Sequence, residues 1–252
     1  GSWIEVATGV SPGAHNATQN YTWSNGIPND ITANAIVKVQ TTVGNASVDI
    51  NDTSAAVFRI RGAATVTQPN TAVTWYYNEQ NDIKWTANGT FPVNITYSTN
   101  NASGPWAIIN NTVTSTDGLN TYNWTLPDKN SEYCMVRVMD NRSIFGYVND
   151  SSDVVFHIRP RINVTTPATD GNVTLRSNTS IRWNCSSSTT VTNVKLEYYN
   201  GSGWTIIEPS VPVGQGTTYT WSSTNNWTNA TVTSSGKIRV SDVDNSNVMG
   251  ES

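Results

Sequence analysis

Ile83-Lys84-Trp85 returns as Ile181-Arg182-Trp183 after 98 residues, and this recurrence limits the fold more than any other feature. Around the first copy, Ile83 and Trp85 alternate with polar neighbours, and Val93, Ile95 and Tyr97 do the same after the turn dipeptide Asn88-Gly89. Period-two alternation on both sides of a turn is the pattern of β-strands with one face in a core and the other in water. The landmarks after Trp85 are Trp106, Tyr122-Asn123-Trp124, Val136-Arg137-Val138 and Phe156-His157-Ile158. After Trp183 come Trp204, Tyr219-Thr220-Trp221 and Ile238-Arg239-Val240. Before the first copy, Trp3-Ile4-Glu5, Tyr21-Thr22-Trp23, Val37-Lys38-Val39 and Phe58-Arg59-Ile60 repeat the later part of the series.

The chain therefore reads as about two and a half copies of one unit. Residues 1–62 form the second half of a module, residues 63–159 a complete one, and residues 160–252 one lacking its last strand. A half-module leaves a bare apolar face. Either the sequence is a slice of a longer tandem array, which is the expectation, or another chain completes the cut ends. Strands are expected near Trp3–Val6, Tyr21–Trp23, Ala35–Gln40 and Ala56–Arg61, then seven in the middle module from Thr65 to Arg159. Seven short strands in about a hundred residues suit an immunoglobulin- or fibronectin-type sandwich. From Phe58 to Pro69 is eleven residues, as is Phe156 to Pro167, with no Gly/Ser-rich spacer at either place. Flexible linkers need permissive composition. The reading is all-β: tandem sandwiches in a semi-rigid rod, with alike joints.

Composition agrees. Charged residues are only 13%, while ten Trp and ten Tyr argue against disorder. A net charge of −4 does not suit nucleic acid, whose phosphates need clustered cations. No run of about eighteen apolar residues could span a bilayer. Cys134 and Cys185 fall in different modules without cysteine counterparts in neighbouring copies. Alternation points both thiols inward, so they are expected buried and unbridged.

Asn-X-Ser/Thr is the densest chemical signal. Eighteen of 32 Asn residues head such a triplet, where chance gives roughly eight. They are Asn16, Asn20, Asn45, Asn51, Asn88, Asn94, Asn101, Asn110, Asn123, Asn141, Asn149, Asn163, Asn172, Asn178, Asn184, Asn200, Asn226 and Asn229. Alternation places Asn94, Asn123, Asn163 and Asn184 on outward faces. N-linked glycans on an extracellular, cell-surface protein are the expectation. Catalysis finds no candidate: the two histidines, His15 and His157, lie about a module and a half apart, and the carboxylates sit mostly at turns. No catalytic or cofactor-binding residues are assigned. Asp242, Asp244 and Asn245 offer alternating oxygens of the kind calcium takes, but a polar hairpin turn is the reading that explains them better. Trp85, Trp106 and Trp124 recur in register and are expected in the core. Trp75 and Trp227 have no aligned partner and are set apart for ligand contact.

The series Pro69, Ile83-Lys84-Trp85, Val93 to Ser98, Trp106, Tyr122 to Pro127, Val136-Arg137-Val138 and Asp140 resembles tandem immunoglobulin-like repeats of prokaryotic cell-surface proteins, related to yeast cell-wall modules of the Kre9 type. The third module matches through Pro167, Trp183, Trp204, Trp221 and Ile238 to Asp242, but lacks the Leu-Pro that follows Trp124. With the dense sequons, the resemblance implies an archaeal surface glycoprotein that self-associates into a surface layer, sheath or filament. The alternatives are an adhesin or carbohydrate-binding stalk, or the spacer region of a secreted enzyme.

Overall fold

The computed structural model describes residues 3–14, 17–23, 26–41, 50–145, 148–168, 171–213, 218–222 and 232–252. Twenty strands run through them, with one short helical turn at Ser143–Phe145. The first four are β1 (Thr32–Ala35), β2 (Lys38–Gln40), β3 (Asn51–Thr53) and β4 (Phe58–Ile60). They pair as β1–β4 and β2–β3, both antiparallel. Trp3–Val6 and Tyr21–Trp23, expected as strands, are not in one. An extended segment becomes a strand only where a partner edge takes its N–H and C=O groups, and none of the described strands pairs with them.

Nine strands follow: β5 (Ala63–Gln68), β6 (Thr74–Tyr76), β7 (Gln80–Asn88), β8 (Phe91–Ser98), β9 (Ala107–Ser115), β10 (Gly118–Thr125), β11 (Ser131–Asp140), β12 (Asn149–Ser151) and β13 (Phe156–Arg159). One sheet has the order β5–β7–β10, and the other β6–β13–β11–β8–β9 with β12 also on β11. Asn88-Gly89 therefore does not close a hairpin. Its turn, with Gly89 at φ +93°, carries the chain from one sheet to the other. Inward residues of both sheets meet in one core that includes Ile83, Trp85, Val93, Ile95, Val136, Val138, Phe156 and Ile158. Buried Trp85 donates its indole N–H to the Ser115 hydroxyl at 3.0 Å. Two sheets that meet in one core, with polar outer faces alternating with the inner ones, make an immunoglobulin/fibronectin-type sandwich.

The last seven strands repeat this plan: β14 (Ile162–Thr166), β15 (Thr179–Cys185), β16 (Asn193–Tyr199), β17 (Trp204–Pro212), β18 (Thr218–Trp221), β19 (Lys237–Asp242) and β20 (Met249–Glu251). The sheets are β14–β15–β18 and β17–β16–β19–β20. Their own core includes Ile181, Trp183, Leu196, Trp221 and Val240. Strand β20 meets Arg239 as β12 meets Arg137, so it corresponds to β12. Gly250 is required there, because a Cβ would stand 2.3 Å from the Ile162 carbonyl oxygen.

Candidate functional site: the joint between sandwiches

Only Pro160 and Arg161 separate β13 from β14, and polar side chains fasten the two sandwiches on either side of them. The loop between β10 and β11 faces the third unit. From it, the Asp128 carboxylate accepts hydrogen bonds from three hydroxyls of the turn after β15. Ser187 donates at 2.7 Å, Thr190 at 3.0 Å, and Thr189 also donates. Ser187 is buried and in turn accepts the backbone N–H groups of Thr189 and Thr190. Next to this cluster, Asn130 donates to Asp242 at 2.7 Å, and Asn245 donates to Asn130 at 2.7 Å and to Glu132 at 2.8 Å. Arg159 closes a two-pronged ion pair on Glu132, and the His157 ring Nδ1 lies 3.1 Å from the same carboxylate. On the other side of the joint, Arg161 pairs with Glu79 at 2.7 Å and stacks over Tyr76 at 3.5 Å. A pocket of about 410 Å³ lies there, lined by Tyr76, Arg161, Asn163 and Val248 among others.

Charge is tuned across this seam. Burial pushes the Asp128 carboxyl up, but the hydrogen bonds from Thr189, Ser187 and Thr190 outweigh it and hold the group below its ordinary value. Hydrogen bonding from Arg159 is the main cause that lowers Glu132. Asp242 moves the other way, raised chiefly by burial.

The preceding joint uses the same position. Asn29 lies 99 residues before Asp128, the offset that also separates Val37 from Val136. Its side-chain oxygen accepts the Thr90 N–H at 3.1 Å, in the turn after β7. Ile31 and Ala33 pack against the middle core. In both joints a side chain of the loop that precedes one unit's late strands grips the early turn of the next unit.

The structure relocates several residues singled out from the sequence. Trp75 is 5% exposed and meets Trp124 edge-on and Phe156 at a tilt inside the middle core, so it offers no ligand surface. Its strand β6 pairs parallel to β13, which buries it. Trp227 and His15 lie outside the described residues. Trp106 is not in the core; it is half-buried beneath the Arg137 guanidinium, 4.2 Å away. Asp242 and Asn245 are spent on the joint, and Asp242 also accepts the Asp244 N–H. Asn245 donates its amide N–H groups to Asn130 and Glu132 and accepts the Asn247 N–H on its oxygen. No three His, Cys, Asp or Glu side chains converge as metal ligands among the described residues.

Four of the eighteen sequon asparagines (Asn16, Asn45, Asn226 and Asn229) fall outside the described residues. Of the other fourteen, eleven are exposed and Asn94, Asn110 and Asn200 are half-buried. Buried Asn120, by contrast, heads no sequon and closes the turn at Thr116 and Gly118.

Both cysteines are unbridged. Cys134 is fully buried, and burial pushes its thiol up to about 11. Cys185, expected to be buried, is half-buried at the end of β15, where its S–H donates to the Ser187 carbonyl at 2.9 Å. At pH 8, with roughly one Cys134 in a thousand as thiolate, iodoacetamide followed by mass spectrometry is expected to label Cys185 slowly and Cys134 only after unfolding. Equal labelling of both in the folded protein would contradict this burial.

No protein-family model matches the chain, and no curated protein matches it. Among solved structures it is similar to the fibronectin(III)-like modules of CbhA from Clostridium thermocellum. The identity is 14%, over 74% of this chain and 88% of that one, with a TM-score of 0.23. Superposition that loose lends nothing to the reading of this chain. Its own strand order defines the class: tandem β-sandwiches of the immunoglobulin/fibronectin type, fastened at their joints. No helix among the described residues is long and apolar enough to cross a membrane.

Proposed function

We propose that this chain is a structural, non-enzymatic segment of an extracellular glycoprotein that assembles into a surface layer, sheath or filament. The observation that supports it best is the joint. Asn29 and Asp128, one repeat apart, each hold the early turn of the following sandwich by hydrogen bonds. A chain whose modules are fixed one to the next transmits force and presents its faces at a set spacing, as a lattice or fibre requires. A flexible spacer would have Gly- and Ser-rich links instead. The exposed sequons are read as N-glycan sites that keep the outward faces solvated. On this reading the repeats are relatives of archaeal surface-layer and Kre9-type modules, and self-association is the partner interaction.

The test is electron microscopy of the native cell envelope and of material shed from it, with the chain and its glycopeptides identified by mass spectrometry. An ordered sheet or fibre containing this chain is the expected result. Isolated molecules without a lattice would overturn the assembly reading. Unmodified Asn at all eighteen sequons would overturn the glycan reading.

A further inference from the structure

A cation stacks over a tryptophan at the same place in all three units. Lys38 lies 4.7 Å from the Trp3 ring, Arg137 4.2 Å from Trp106, and Arg239 4.0 Å from Trp204. In the third unit the stack has a carboxylate partner, Glu197, which Lys195 also contacts at 3.1 Å. Arg239 pairs opposite Glu197 on β16, donates Nε to its carboxylate at 2.8 Å, and makes a second contact through a terminal nitrogen at 2.8 Å. In the middle unit the residue opposite Arg137 is Thr96. The Thr96 hydroxyl goes to the Arg137 backbone carbonyl, and the Arg137 Nε is buried without a hydrogen-bond partner. Among the described residues no carboxylate pairs with Arg137. The middle unit thus has the stack without its counter-charge, on an outward sheet face.

We propose that Arg137 and Trp106 form a docking site for the carboxylate of an acidic sugar. The guanidinium is a planar fork matched to a carboxylate, and its half-buried setting strengthens the attraction relative to open water. Across the sheet the rung is Ser151, Arg137, Thr96 and Ile108. Exposed Ile108 and the half-exposed indole offer apolar surface to a sugar ring, while Ser151 adds a hydroxyl. This mixture suits a uronate better than an acidic peptide, which would want several cations. The neighbouring rung is Asn149, Met139 and Asn94, whose two asparagines head sequons about 7 Å along the strands. A glycan of the same chain is therefore one source of the sugar; that clause alone rests on the glycosylation reading. An acidic glycan of another molecule is the other source.

The full chain, produced without glycans, is titrated with tri-galacturonic acid, with neutral maltotriose, and with a hexaglutamate peptide. The Trp106 indole N–H resonance and calorimetry are the readouts. Saturable, salt-sensitive binding of the uronate that shifts Trp106, with no response to maltotriose, is expected. Thr96→Glu installs the carboxylate that Arg239 already has, and should weaken uronate binding about tenfold or more. Arg137→Gln should do the same, and it carries the test where Thr96→Glu does not fold. No uronate binding by the unsubstituted chain would overturn the proposal, as would full-strength binding by folded Thr96→Glu or tighter binding of hexaglutamate. Because the sugar is added free to unglycosylated protein, this failure is read separately from the glycopeptide spectra. Comparing glycosylated and unglycosylated chains then separates the sources: an own-chain glycan would occupy the site and block added uronate, and a foreign one would leave it open.

Discussion

Trp85→Ala is expected to destabilise the middle sandwich by about 3–5 kcal/mol. Trp85 is 1% exposed, and its indole N–H satisfies Ser115, which is itself fully buried. Truncation opens a cavity between the two sheets and strands the serine hydroxyl at the same time. A domain of this size has about 5–15 kcal/mol of stability in all. In calorimetry the middle unit's transition should fall by more than about 12 °C. Trp106→Ala is the control, because that ring lies half-buried against Arg137 and its loss should cost about 1 kcal/mol. Equal shifts from the two substitutions would mean that the core is not where the structure puts it.

That contrast also marks where sequence reasoning stopped. Trp85 and Trp106 both recur in the next unit, so recurrence gives them the same standing. Alternation says that two faces of a strand differ; it does not say which is inner. The signal that separates them was available in the basic residue on the late strand of every unit, Lys38, Arg137 and Arg239, which calls for a partner on the outward face. Trp75 was misplaced for a different reason. Its strand is three residues long and pairs parallel to β13, too short for any period to register. Seven of the nine strands of the middle unit were expected from the sequence; the two that were not, β6 and β12, are three residues each. Val138 is fully buried while Val39, one repeat earlier, is 72% exposed.

The joint was half legible. Absence of a spacer was visible, but its hydrogen bonds connect residues about sixty to a hundred and fifteen positions apart, and no local pattern announces such pairs. Asp128 looks like turn chemistry in sequence, and only the approach of the next sandwich turns its carboxylate toward three hydroxyls.

Asp128→Ala is accordingly expected to weaken the joint by about 2–3 kcal/mol, since Ser187 would be left buried with its Asp128 partner gone. Hydrogen exchange at the Thr189 and Thr190 amides, which donate to Ser187, should quicken together while the Trp85 core stays protected. The pH dependence has a definite sign. Asp128 and Glu132 are held below their ordinary values. Their contribution is complete above the unfolded carboxyl range, near pH 4, and is lost as the pH falls through their lower folded values. Asp242 is raised, so its ionisation opposes the joint: the contribution of its protonated form is present at low pH and lost as the pH rises through its folded value. The two trends cross. Asp242→Asn removes only the opposing one and leaves an amide oxygen to accept from Asn130. With this substitution, joint stability should no longer decline on the rising side and should lose strength only on acidification. Unchanged exchange at Thr189 and Thr190 in Asp128→Ala at neutral pH would mean that the hydroxyl cluster does not fasten the sandwiches, and the fixed-spacing reading would fail with it.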